Sequence, residues 1–244
     1  MNHSNFKALL VYWRYWLHHR FAILFLLLCV AGSVPALASL SLAQEFEPPD
    51  RGLPGRREGG GTRGECLVQQ PALTALMPNT NLGLTVAEHP SFFWYIPQNG
   101  AAAGEFVLLD QTNAEVYKTI VPVSQAGVVS VSLPADGSVP ALEVGQSYRW
   151  YFSLICDPLD RSADVFTSGW IKRVEPSPSL TQKLAAATAE EQPKIYAEAG
   201  IWYEALSTLV QLRQAQPQNP ALVSQWQTLL ASVGLEQIAD QPLQ

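Results

Sequence analysis

Histidine and cysteine are scarce in this chain, with four of one and three of the other among 244 residues. His3, His18, His19 and Cys29 all fall within the first 43 residues, where Arg14 and Arg20 precede a short apolar run, Phe21–Val30. Small residues follow at Ala36-x-Ala38 and at Ser41-x-Ala43, two places that suit cleavage of a secretory signal. The run falls short of the about 20 apolar residues that a membrane helix needs. Residues 1–43 are therefore expected to be a signal peptide, and the product to have no transmembrane segment. That product keeps one imidazole, His89, and two thiols, Cys66 and Cys156. A Ser–His–carboxylate or Cys–His nucleophile would have to use His89, which sits in Glu88-His-Pro90 at a strand end with no nucleophile elbow around it. Zinc takes three or four His and Cys ligands, more than this set supplies. Neither a catalytic residue, a metal nor a cofactor is expected, and the protein reads as a non-enzyme.

Basic charge is also short. Lys7, Arg14 and Arg20 belong to the signal, which leaves twelve basic residues against twenty-one acidic ones, all of them beyond residue 43. Nucleic-acid binding draws most of its affinity from Lys and Arg on phosphates, so no nucleic-acid partner is expected. Outside the cytoplasmic membrane, where thiols are oxidised, Cys66 and Cys156 read as one disulfide bond. It would close a loop of about 90 residues, worth roughly 4–5 kcal/mol if unstrained. Leu28 before Cys29 departs from the small residue of a bacterial lipobox, so no lipid anchor is expected there.

What is present falls into blocks. Residues 44–65 are rich in Pro, Gly, Arg and Glu and nearly free of apolar side chains, and are expected to form a flexible leader. Its Gly-rich stretch lacks the Gly-Lys-Ser/Thr ending of a phosphate loop. Residues 66–175 alternate short β-branched and aromatic runs with turn clusters, as a sandwich does. Strands are expected at Leu82–Val86, Phe92–Ile96, Glu105–Asp110, Glu115–Val121, Val128–Leu133, Tyr148–Cys156 and Phe166–Val174, with Leu73–Leu76 as a leading edge. Leu142-Glu-Val-Gly145-Gln-Ser-Tyr148 resembles the corner of fibronectin-type and other immunoglobulin-like domains, where a Tyr hydroxyl bonds back to the upstream backbone. Period-2 alternation puts Tyr148, Trp150, Phe152 and Leu154 in the core, as it does Phe92, Trp94 and Ile96. Phe93, Tyr95, Arg149 and Tyr151 then point the other way, and that apolar second face needs a cover.

Residues 176–244 switch to helix formers, with helices expected at Leu180–Ala187, Glu190–Ala199, Ile201–Gln214 and Ala221–Ser232, closed by Gly200 and Gly234. Gly200-Ile-Trp-Tyr-Glu-Ala205-Leu206 through Pro217 resembles the second half of a tetratricopeptide repeat, over only about one and a half units. A helical hairpin packed on the sandwich is the simpler expectation. The fold class is α+β: an immunoglobulin-like antiparallel β-sandwich followed by a small tetratricopeptide-like helical region.

Several stretches together resemble a family of exported cyanobacterial proteins defined only as a domain of unknown function. They are Pro54-Gly-Arg-Arg57, Gly59-Gly-Gly-Thr-Arg-Gly64, Leu82-Gly-Leu-Thr-Val86, Glu88-His-Pro90, Tyr148-Arg-Trp-Tyr-Phe-Ser153, Cys156-Asp-Pro158, Asp160-Arg-Ser-Ala-Asp164 and Gly200-Ile-Trp-Tyr203. The resemblance implies an exported cyanobacterial protein, periplasmic or extracellular, and brings no activity with it.

Two stretches carry candidate binding residues. Asp157, Asp160 and Asp164 offer oxygens to calcium, but Arg161 in their midst points to turn caps and an ion pair instead. Phe93, Tyr95, Arg149 and Tyr151 are the aromatic and cationic candidates, either covered by the helices or displayed to a ligand. An exported interaction module that binds another envelope or secreted protein is the leading expectation. A glycan-binding module of the cell wall or exopolysaccharide is the alternative.

Overall fold

The computed structural model describes Phe46, residues 52–60 and residues 71–244. The signal peptide, most of the leader and Cys66 lie outside the described residues. Among the described residues, nine strands and four α-helices follow in chain order. The strands are β1 (Arg56–Gly60), β2 (Thr74–Ala75), β3 (Leu82–Thr85), β4 (Ser91–Ile96), β5 (Ala103–Leu109), β6 (Glu115–Val121), β7 (Gly127–Ser132), β8 (Ser147–Ile155) and β9 (Val165–Arg173). The helices are α1 (Pro178–Ala186), α2 (Gln192–Glu198), α3 (Trp202–Ala215) and α4 (Pro220–Ala231).

One sheet runs β6-β5-β8-β9 and the other β2-β4-β7, with β1 pairing both β9 and β2 to make a nearly closed antiparallel sandwich. β3 lies parallel to β9, Leu82 opposite Trp170, so β1 and β3 share the edge of β9 away from β8. The Tyr148 hydroxyl accepts the Glu143 N–H at 3.0 Å, the corner bond expected of an immunoglobulin-like domain. Alternation holds as expected. Phe92, Trp94, Phe106, Trp150 and Phe152 fill the space between the sheets, with Trp94 stacked on Phe152 at 4.4 Å between centroids.

Arg56–Gly60 departs from the expectation of a flexible leader, because it forms β1. Five residues with no apolar side chain carry no strand signal by periodicity; their strand is set by the edges waiting on either side. Arg57 extends the role of this segment, since its guanidinium donates to the Val233 and Gly234 carbonyls at 2.6 and 2.8 Å, just beyond α4. A cation there suits the negative end of the helix dipole.

The expected Cys66–Cys156 bridge does not lie within the described residues. No disulfide joins two described residues, because Cys66 lies outside them and Cys156 is the only cysteine among them. The Cys156 end alone is described, and its sulfur is disulfide-bonded. No helix among the described residues is long and apolar enough to cross a membrane.

Sandwich and helices share one continuous apolar cluster that runs from Trp94 and Phe152 to Trp202, Leu209 and Trp226. Helix α3 packs against β3 and β4, and three consecutive residues in its first turn reach into the sandwich. The Trp202 indole N–H donates to the Leu76 carbonyl at 2.9 Å. The Tyr203 hydroxyl accepts from the Trp150 indole N–H at 3.1 Å, and its ring meets Phe92 edge-on at 5.3 Å. The Glu204 carboxylate accepts from the Thr85 hydroxyl and from the Ala87 N–H at 3.0 Å. Gly83 leaves room for Tyr203: a Cβ there would lie 2.6 Å from the ring. Gly200, at φ +72°, ends α2 and turns the chain so that this triplet enters the sandwich.

Candidate functional site

The four outward candidates do not form one site. Phe93 and Tyr95 lie on β4, in one sheet, and Arg149 and Tyr151 on β8, in the other, so their common phase points them to opposite sides of the sandwich. Phe93 and Tyr95 are 6% and 5% exposed and belong to the same apolar cluster as Trp202 and Leu206, so they are closed to any ligand. Burial also pushes the Tyr95 hydroxyl's pKa up. The cover expected for the second face is thus present over β4.

Arg149 and Tyr151 remain half-exposed, not beneath helices as Tyr151 was expected to be. They belong to an outer face built from β6, β5, β8, β9 and β1. Cross-strand register puts Trp170 opposite Arg149, Phe166 opposite Ser153, and Val107 opposite Tyr151. The Arg149 guanidinium carbon lies 4.8 Å from the Tyr151 ring centroid and 5.7 Å from that of Trp170. Tyr151 and Phe166 meet at 6.5 Å, and Arg56 of β1 lies 5.0 Å over Phe166. Each such cation–π contact contributes about 0.5–1 kcal/mol at an exposed site, enough to order the rings without burying them. Trp170 is fixed further by its indole N–H on the Pro54 carbonyl at 2.9 Å. None of Phe166, Trp170 and Arg56 was assigned to this face in advance. The alternation of β9 carried a signal for the first two, whereas Arg56 needed β1 to be recognised as a strand.

The acidic loop closes one end of this face. Asp157 accepts the Leu159 N–H at 2.8 Å, and Asp160 caps a 3₁₀ turn at Arg161–Ala163 by accepting the Ser162 N–H at 3.0 Å. Asp164 accepts the Cys156 N–H at 3.2 Å and pairs with Arg161, which also reaches Glu105 at 3.0 Å. The carboxylates are therefore spent on turns and an ion pair, as Arg161 suggested. Among the described residues, no group of three or more His, Cys, Asp or Glu stands where it could hold a metal. His89 has its Nε2 3.4 Å from the Val139 carbonyl.

One buried titratable group stands apart from the face. Burial raises the Glu204 pKa against the opposing hydrogen bonds from Thr85, Ala87 and Val86. Its second oxygen, Oε2, has no hydrogen-bond partner among the described residues. With the folded pKa above the unfolded one, the stability linked to this group is full below about pH 4.3 and is lost as pH rises through the folded value. Glu204→Gln removes that loss, so its melting temperature relative to the native chain should be higher at pH 7 than at pH 4. Melting curves at both values check this, and a relative gain that grows as pH falls would contradict it.

A comparison with curated proteins finds no match. A family model does match, from Glu58 inside β1 to Leu243 beyond the last helix, so the match takes in sandwich and helices together. Residues 58–243 match the family described as Domain of Unknown Function (DUF928), and the chain belongs to that family.

Proposed function

We propose that this chain is an exported, non-enzymatic interaction module that takes its ligand on the outer face of β5, β8, β9 and β1. Export rests on the basic start, the short apolar run Phe21–Val30 and the small residues after it. The resemblance to exported cyanobacterial proteins supports the same reading, with the periplasm or the outside of the cell as the working compartment. The observation that carries the binding role is the set of half-exposed rings, Tyr151, Phe166 and Trp170, interleaved with Arg149 and Arg56. Tyr, Trp and Arg are the residues on which binding energy concentrates. The other large aromatic set, Trp94, Trp150, Trp202 and Trp226, is fully buried and serves the core. The partner is a component of the envelope or of the exported space, protein or polysaccharide.

The double variant Tyr151→Ala/Trp170→Ala should lose binding to an envelope fraction from the native host while folding as the native chain does. Retention of binding in a folded double variant would remove the face from consideration.

A further inference from the structure

The geometry points to a ligand class for the outer face: a polysaccharide carrying uronate carboxylates. This rests on the reading of that face as the binding surface and adds its chemistry. The whole chain is acidic, at a formal −6, yet the face gathers Lys118, Arg149, Lys172 and Arg56. Of the carboxylates in its rows, Glu105 is held by Lys118 at 2.7 Å and Arg161 at 3.0 Å, and Glu115 stands on the edge strand β6, beyond Leu109 from Arg149. Burial alone would raise the Glu105 pKa, but these two partners outweigh it and hold the group ionised and neutralised. With Lys118 spent on Glu105, the charges that stand beside the rings are Arg149, Arg56 and Lys172.

Arg149 is the centre of the arrangement. It makes no ion pair among the described residues, and two rings hold its guanidinium between them. Its Nε is buried without a hydrogen-bond partner, which leaves the terminal pair of nitrogens as the donors for a ligand. That planar fork fits a carboxylate in two parallel hydrogen bonds, and because the rings already fix it, little side-chain freedom is lost on binding.

The same features select a sugar over an acidic peptide. An extended peptide binds a sheet by adding to a free edge. Here β8 is flanked by β5 and β9, and β9 by β8, β1 and β3, so no backbone edge lies under the rings. What the face offers is ring surfaces and charged forks, the parts that grip a pyranose and its carboxylate. Single-stranded nucleic acid uses similar parts, but along a continuous basic groove, which a net acidic chain does not supply.

The test is retention of the full exported chain on polygalacturonate, with neutral dextran, dextran sulfate and a single-stranded oligonucleotide beside it, at about 0.15 M salt. Polygalacturonate should retain the protein, and the other three should do so at least about tenfold more weakly, a difference of about 1.4 kcal/mol. Arg149→Ala and Tyr151→Ala should each weaken retention about tenfold or more. Arg149→Lys, which keeps the charge and loses the fork, should recover only part of it. Lys183→Ala on the exposed side of α1 should change nothing. Melting curves of each variant separate lost binding from lost fold. No retention on polygalacturonate, equal retention on dextran sulfate or the oligonucleotide, or full retention by Arg149→Lys overturns the inference. If polygalacturonate fails while envelope binding still depends on Tyr151 and Trp170, the face stands and only the uronate is wrong. If neither depends on them, both readings fall.

Discussion

Truncation after Glu175 should leave a sandwich that aggregates or melts far below the full chain, with no sharp transition of its own. The fragment would lose the Trp202 contact to Leu76, the Tyr203 partner of Trp150, and the acceptor that holds Thr85 and Ala87. Arg57 would lose the two carbonyls that hold β1 toward the helices. The C-terminal tail, which pairs with β7 at Val128 through the Pro242 and Gln244 backbone, would go as well. Phe93 and Tyr95 would lose the helical neighbours of their cluster and present an apolar patch to water. Differential scanning calorimetry with light scattering measures the outcome. A soluble fragment that melts at the full-length temperature would show that the helices only rest on the sandwich.

The second large effect comes from one side chain. Tyr203→Ala should destabilise the whole chain by about 3–5 kcal/mol, the usual cost of removing a fully buried aromatic ring. Leaving the Trp150 N–H unpaired adds about 1–3 kcal/mol. For a unit of this size the melting temperature should fall by about 10 °C or more. Tyr203→Phe keeps the ring against Phe92 and removes only the hydroxyl, so it should show the smaller part of that loss. Burial already pushes the Tyr203 hydroxyl's pKa well above its ordinary value, so it stays a neutral partner for the indole throughout the working pH range. Urea unfolding of the two variants checks the order, and equal losses would mean that the ring is not part of the core.

These two expectations depend on a junction that sequence alone revealed only in part. Strand and helix positions were legible because Phe92–Ile96 and Tyr148–Cys156 alternate with period two, and because Gly200 and Gly234 stop helices where they stand at positive φ. The Tyr148 corner was legible because Leu, Gly and Tyr occur at a fixed spacing. Which strands share a sheet was not, since alternation gives a side chain's phase but not its sheet. That is why Phe93 and Tyr95 looked like neighbours of Arg149 and Tyr151. β1 was invisible for a different reason: Arg-Arg-Glu-Gly-Gly forms a strand only because β9 and β2 offer it two edges. Trp202, Tyr203 and Glu204 stood out as part of a repeat-like motif, and their role as an interlock needed the partners they meet 53 to 126 residues away.

The interlock bears on function by elimination of surfaces. The helices close over β4, β1 and β3 take one edge of β9, and the tail joins β7. The outer face of β5, β8 and β9 is left with its rings half-exposed and its arginines stacked on them. A rigid scaffold behind a preorganised surface is what a binding module requires, since affinity gains when the contacting groups are ordered beforehand.

Side-chain footprinting by hydroxyl radicals, on the full chain with and without an envelope fraction from its native host, addresses the binding face most directly. The account predicts that oxidation of Tyr151, Phe166 and Trp170 falls on addition of the fraction, while exposed Val144 elsewhere on the surface reacts as before. Protection confined to the helices, or none at the three rings, would contradict it.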